Sequence, residues 1–368
     1  MERTRRSVLA SVAAGTAAVA GCAAPQNSGQ QTGDSPYTRV YNEVLPSVVV
    51  VHVAENNRKV AQGSGFAIDP RTIVTNHHVV DPGSEVNVRL ADGQWAEATV
   101  VGSDQHSDLA VLEIESAVTV PKTLSFVDEP APVGEEVVAI GAPFGLSESL
   151  AQGIISARGR SVRGLSRFSI PAAIQTDTQV NSGSSGGPLV NLAGDVAGVV
   201  FASQGGNVAF AVSAALATRV IPELRETGSY DHSYLGVTLL TVEPQIADAN
   251  GLSEPRGVLV VETVDRGPSD GILVPSITDS DASGGGTGNG GDAPNGSDDD
   301  EEPQIRRRAI PTGGDVIVAI DGTPINNTDE LTRTLALQTR PGQTIPITVI
   351  RDGEEIVVEV TLGELPEE

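Results

Sequence analysis

Asn181-Ser-Gly-Ser-Ser-Gly-Gly-Pro-Leu189 is the stretch on which the fold turns. Glycines on both sides of a serine allow a tight turn that aims amide hydrogens into one spot, the arrangement a developing oxyanion needs. Ser182, Ser184 and Ser185 are all chemically eligible nucleophiles there. Serine attacks poorly unless an imidazole takes its proton and a carboxylate holds that imidazole. The chain supplies both upstream. Val74-Thr-Asn-His-His-Val-Val80 offers His77 and His78 just past a strand, two of only five histidines, the others being His52, His106 and His232. Asp104-Gln-His-Ser-Asp-Leu-Ala-Val-Leu112 offers Asp104 and Asp108. Asp108 opens a strand and can be buried at its mouth, whereas Asp104 is placed to cap the preceding turn.

The order His, Asp, Ser along the chain is that of the chymotrypsin-like double β-barrel. The surroundings agree. Short β-branched runs at 47–53, 71–75, 85–90, 109–114, 136–140, 153–156 and 196–200 are separated by Gly, Pro and Asp turns, with only 211–227 reading as helix. Strands at this spacing with no amphipathic helices between them predict an all-β sandwich or barrel. A second unit begins near Tyr234, with strands at 257–262, 315–320, 344–351 and 355–362 and a helix over 327–339, the pattern of a small α+β domain. Residues 278–302 carry eight acidic side chains and no basic one among Gly, Ser and Asn, followed by Arg306-Arg-Arg308, and predict a disordered insertion.

The chain has 368 residues, enough for two or three domains. Its 48 acidic against 23 basic residues give a net charge of −25, which excludes a phosphate-directed nucleic-acid binder. Lys59 and Lys122 are the only lysines. Such a surface suits molar salt, where the Debye length falls to roughly 3 Å and self-repulsion is screened, and predicts a halophilic protein. The one cysteine, Cys22, makes no internal disulfide. It ends a charged start and an apolar run over 8–20, which read as a signal peptide over 1–21. Arg5-Arg6 resembles a twin-arginine export signal, and Val19-Ala20-Gly21-Cys22 resembles a lipobox that makes Cys22 the lipidated first residue, anchored on the outer face of the cytoplasmic membrane. Residues 22–36 read as a flexible tether.

Ile73-Val-Thr-Asn-His-His-Val-Val80, Ser107-Asp-Leu-Ala-Val-Leu112, Ala139-Ile-Gly-Ala-Pro-Phe-Gly145, Gly153-Ile-Ile-Ser156 and Ser184-Ser-Gly-Gly-Pro-Leu-Val-Asn191 together resemble the HtrA (Deg) family of serine proteases. The resemblance implies His78 rather than His77 as base, Asp108 as the orienting acid and Ser185 as nucleophile. It places the oxyanion hole on the backbone of Gly183, Ser184 and Ser185, with the Gly183 and Ser185 amides as donors. The sequence departs from the family at Ser184, usually asparagine, and at Ser182, usually proline. Tyr234-Leu-Gly-Val237 and Gly314-Asp-Val-Ile-Val-Ala-Ile-Asp-Gly-Thr-Pro-Ile325 resemble the PDZ domain that follows such proteases. There Tyr234, Leu235, Gly236 and Val237 would offer amides to a terminal carboxylate beside a strand edge that pairs with the peptide. The expected organisation is a protease domain over 37–228 and a PDZ domain over 232–366, interrupted by the acidic insertion at about 275–310.

The implied activity is ATP-independent endoproteolysis of unfolded or damaged proteins, cutting after small or medium apolar residues, with C-terminal peptides at the PDZ groove. A homotrimer through Tyr37 and Tyr41 is also implied. A protease-like chaperone without catalysis and a narrow regulatory protease with one signalling substrate are the competing readings. No metal or cofactor motif is present, and Asp298-Asp-Asp-Glu-Glu302 lacks the alternating ligands of a calcium loop.

Overall fold

The computed structural model describes residues 35–56, 58–81, 83–114, 118–141, 149–163, 168–181, 183–203, 208–277 and 310–366. The leader, Cys22, residues 142–145 of the third family motif, Ser182 and the acidic run with its arginines lie outside them.

After helix α1 (Pro36–Val44), six strands close the first barrel: β1 (Val48–Glu55), β2 (Arg58–Ala67), β3 (Thr72–Thr75), β4 (Glu85–Leu90), β5 (Trp95–Asp104) and β6 (Leu109–Ile114), in the spatial order β1-β2-β3-β6-β5-β4. The single-turn helix α2 (His77–Val80) follows β3. A second barrel closes in the order β10-β11-β12-β9-β8-β7 from β7 (Glu136–Gly141), β8 (Ser149–Arg163), β9 (Ser169–Thr176), β10 (Pro188–Asn191), β11 (Val196–Ser203) and β12 (Ala209–Ser213). This is the chymotrypsin-like pair of barrels. Alternation along β1 explains its unbroken valines: Val49, Val51 and Val53 fill the first barrel with Ile73 and Leu112, while Val48 joins Phe66, Val74, Ile140 and Phe201 in the core shared by the barrels.

Helix α3 (Ala214–Thr227) starts three residues later than the composition predicts. Residues 211–213 continue β12, pairing with β11, and Ser213 caps the helix by accepting from the Leu216 amide at 3.4 Å. Gly228, left-handed at φ 87°, ends it.

The C-terminal domain comprises β13 (Ser233–Tyr234), β14 (Val237–Thr241), α4 (Pro244–Ala249), β15 (Val258–Thr263), β16 (Val316–Ile320), β17 (Thr323–Pro324), α5 (Thr328–Gln338), β18 (Thr344–Arg351), β19 (Glu354–Thr361) and β20 (Gly363–Glu364). Its sheet runs β14-β15-β16-β18-β19, which leaves β14 at an edge, and Leu331 of α5 packs with Val258, Ile317 and Ile347 beneath it. The chain leaves for the 278–309 segment and returns at one bridge, Ile277 to Thr312, with mutual backbone hydrogen bonds of 2.8 and 3.0 Å. Next to it the fully buried Asp315 takes a two-pronged bond from Arg351 at 2.7 Å and the Val274 amide at 2.9 Å. The fold is therefore stapled at the base of the insertion. Helix α5 also faces the second barrel: the Ser161 amide donates to Asp329 at 3.1 Å, Arg219 donates to the Leu337 and Thr339 carbonyls, and Arg340 pairs with Glu223 at 2.7 Å.

Candidate active site

The two barrels contribute different halves of the site. His78 sits in α2, directly after β3, and Asp108 directly before β6, strands that pair with each other in register. Pairing therefore brings the two residues together. His78 Nδ1 lies 2.7 Å from Asp108 Oδ2 and 3.0 Å from Oδ1, and the His78 amide donates to Oδ1 at 3.0 Å. An ionised carboxylate only accepts, so Nδ1 carries the proton and Nε2 keeps its lone pair for a substrate-side proton. Asp108 is fully buried and His78 retains 17% of its side-chain exposure, so the imidazole alone meets solvent. The Asp108 backbone is left-handed at φ 54°, a strained geometry for a non-glycine residue costing about 1–3 kcal/mol. Buried Asn76 helps to hold it, its side-chain amide donating to the Asp108 carbonyl at 2.8 Å.

His77 is turned elsewhere, 3.8 Å from Asp81. Asp104 is occupied as a turn cap, accepting from the His106 amide at 3.2 Å and the Ser107 amide at 2.9 Å.

The nucleophile turn leads into β10 of the second barrel and is clamped by the first. The Ser64 hydroxyl donates to the Gly183 carbonyl at 2.6 Å, the Ser64 amide donates to the Ser185 carbonyl at 2.8 Å, and Thr75 Oγ1 donates to the Ser64 carbonyl at 2.7 Å. Gly186, at φ 84°, lies so close to Ser64 and Thr75 that a methyl there would overlap both. Gly63 abuts both the Val79 side chain, next to His78, and the Ser185 carbonyl. Ser64, Thr75 and Asn76 were not singled out from the sequence. The signal that points to Ser64 is Gly63-Ser64-Gly65, two glycines inside a strand, which mark a close backbone approach.

Of the three residues named for the oxyanion hole, Ser184 has its amide engaged, as expected of a residue that is not a donor there: it donates to the Asn181 carbonyl at 2.9 Å, and its hydroxyl accepts from the Asn181 amide at 3.4 Å. The Gly183 and Ser185 amides donate to no group among the described residues, and Gly183 holds φ 97°. The Ser185 hydroxyl is directed at the Phe201 carbonyl, 3.4 Å away, rather than at His78. Catalytic hydrogen bonds of this kind tighten when substrate arrives.

Comparison with known proteins places these features. A trypsin-like peptidase domain matches residues 63–199 and a PDZ domain matches 233–362. A probable periplasmic DegP-like serine endoprotease of Rhizobium meliloti is 36% identical over 312 residues, covering 83% of this chain and 54% of its own. The solved serine endoprotease from Yersinia pestis matches with a TM-score of 0.61 at 27% identity, over 90% of this chain and 99% of that one. The HtrA-type protease AlgW with tripeptide matches with a TM-score of 0.68 at 29% identity, over 90% and 98%. The chain belongs to the HtrA family. It spans about half the length of the curated relatives it matches.

The HtrA-type C-terminal PDZ domain carries Tyr234, Leu235, Gly236 and Val237 at the start of edge strand β14. Tyr234 pairs with Gly363, the Leu235 carbonyl accepts from the Ser269 hydroxyl at 2.6 Å and the Gly236 carbonyl from the Val264 amide at 2.9 Å. With the carbonyls fixed, the Leu235 and Gly236 amides donate to nothing among the described residues. Among those residues no group of His, Cys, Asp and Glu is arranged to hold a metal, and no helix is long and apolar enough to cross a membrane.

Proposed function

We propose that this chain is an exported serine endopeptidase that hydrolyses peptide bonds of unfolded proteins. The observation that carries the reading is the His78–Asp108 pair at 2.7 Å on one barrel, beside a Ser185 turn on the other whose Gly183 and Ser185 amides donate to no group among the described residues. In the proposed reaction Ser185 Oγ attacks the peptide carbonyl carbon while His78 Nε2 takes the hydroxyl proton. Asp108 steadies the imidazolium, and the carbonyl oxygen, now an oxyanion, accepts from the Gly183 and Ser185 amides. Collapse expels the amine, protonated by His78, and leaves an acyl-serine. Water, deprotonated by His78, then releases the acid and restores Ser185.

The PDZ domain extends the proposal to regulation. A peptide adding to the β14 edge would present its carboxylate to the Leu235 and Gly236 amides, a mode supported by their lack of an acceptor among the described residues. Domain limits of 37–228 and 232–366 belong to the same reading. So do twin-arginine export and anchoring through Cys22, for which relatives named as periplasmic support export alone. The homotrimer would form through Tyr37 and Tyr41. Both rings are half-buried against their own barrels, with Tyr37 donating to Glu136 at 2.5 Å, so only their outer faces are offered to a partner. A monomer by light scattering in molar salt rejects that element.

The deciding experiment is digestion of unfolded casein in about molar KCl by the mature protein and by Ser185→Ala. Loss of digestion in the variant supports the protease and its nucleophile together. Absence of digestion by both, with and without C-terminal peptides, rejects it in favour of a chaperone. Digestion only with a particular C-terminal peptide favours the narrow regulatory enzyme.

A further inference from the structure

Outside the catalytic groups the structure holds a second buried acid–imidazole pair. His232 Nε2 lies 2.8 Å from Asp104 Oδ2, and neither side chain is as much as a tenth exposed. The two are 128 residues apart in sequence. Asp104 is the last residue of β5, and its two oxygens also accept from the His106 and Ser107 amides, which lead straight into Asp108. His232 stands immediately before β13, and its carbonyl accepts from the Leu365 amide at 2.9 Å. Its ring therefore reaches the first barrel while its backbone holds the end of the PDZ domain. Burial by itself would push the Asp104 carboxyl up, but the hydrogen bond and charge of His232, with the Ser107 bonds, hold it below its usual value. The pair borders a cavity of about 180 Å³ that also touches His77, His106, Tyr230, Asp231 and Glu364. His77 is the neighbour of the catalytic His78, so the cavity adjoins both catalytic segments of the first barrel.

We infer that His232 is a positioning residue for the catalytic acid: by holding Asp104 it fixes the turn over 105–107, and with it Asp108, so that the seating of the first PDZ strand is registered at the His78–Asp108 pair. The inference rests on the protease reading above. Its physical basis is the left-handed Asp108 backbone, which persists only while its surroundings over-determine it. Asp104 supplies two of those restraints, and an acceptor shared with an imidazole is better fixed than one left to water.

The test uses the mature protein, His232→Ala and His232→Gln in molar KCl, with the p-nitrophenyl ester of a blocked valine, a probe too short to engage the PDZ groove. His232→Ala is expected to lower kcat about tenfold, the loss of one charge-assisted hydrogen bond, with KM unchanged. His232→Gln, which keeps a donor for Asp104, restores kcat to near the parent value; a histidine needed only for its bulk would not be rescued this way, and one needed only for folding would change the folded fraction and not kcat. A second arm measures amide hydrogen exchange over 105–108 in a Ser185→Ala background, so it decides the inference even if no ester is cut. Faster exchange there in the His232→Ala form supports the inference. Unchanged exchange overturns it, as does a kcat that is unchanged or higher. If His232→Ala fails to fold, His232→Phe fills the volume without a donor and takes its place in both arms.

Discussion

Replacing Ser64 by alanine tests whether the clamp between the barrels sets the nucleophile turn. The substitution removes one oxygen and leaves the Gly183 carbonyl, now bonded at 2.6 Å, without its donor in a partly buried place. Leaving such an acceptor unsatisfied costs about 1–3 kcal/mol. The Ser64 amide bond to the Ser185 carbonyl and the Thr75 bond to the Ser64 carbonyl survive, since both use the Ser64 backbone. The barrels should therefore remain joined while the peptide plane between Gly183 and Ser184, which links the Gly183 and Ser185 amides, is left held by the Ser184 amide alone. If the whole cost falls on oxyanion geometry, kcat drops about 5- to 150-fold, because each 1.36 kcal/mol is a factor of ten. KM should be nearly unaffected, since the interaction is needed mainly as charge develops. Steady-state hydrolysis of a short ester, alongside thermal unfolding, gives both parameters and the folded fraction. A Ser64→Ala enzyme with unchanged kcat and a lowered melting temperature would refute the clamp's role in geometry and reduce Ser64 to a fold contact.

Asp108→Asn should lower kcat by about four orders of magnitude with the fold intact, because an amide leaves His78 in the wrong tautomer; active-site titration separates this from unfolding. Gly186→Ala combines a left-handed backbone, about 1–2 kcal/mol for an L-residue, with overlap on Ser64 and Thr75, about 1–3 kcal/mol more. A loss of unfolding free energy of about 2–5 kcal/mol is expected, read as a lower urea midpoint at unchanged m. For Asp104 the folded carboxyl is held below its unfolded value, so its contribution to stability is complete above about pH 5 and is lost as pH falls through the lowered value. Asp104→Asn should therefore flatten the acid side of the curve of urea midpoint against pH.

Much of the fold is legible locally. The valine-rich β1 and the β3–β6 pair that carries His78 and Asp108 are short apolar runs rich in Val, Ile and Leu, and their turns are marked by Gly, Pro and Asp. Strand β2 is not legible in the same way. Arg58, Lys59, Gln62 and the glycines at 63 and 65 form no apolar alternation, and the strand exists because β1 and β3 flank it. Helix α1 hides behind Pro36 and polar residues and is held by Val40 and Val44 in the shared core. The start of α3 is not legible because Ala211, Val212 and Ser213 suit a strand as well as a helix, and β11 decides between them. At the site, residue types and order name the reacting groups, while Asn76 and Ser64 act through backbone contacts that leave little mark on composition. The capping role of Asp104 is readable from its turn; its partner His232, 128 residues further along the chain, is not.

Under the proposed function, dividing the site between two barrels has a consequence for a protein that would cut others. Base and acid sit on one barrel and the serine on the other, joined through Ser64, Thr75 and the close approach at Gly186. If either barrel loosens, an imidazole is left with no hydroxyl to activate and a serine with no base. A copy that begins to unravel is thus disarmed before its own strands become food for its neighbours, and damage to the enzyme removes a hazard instead of creating one.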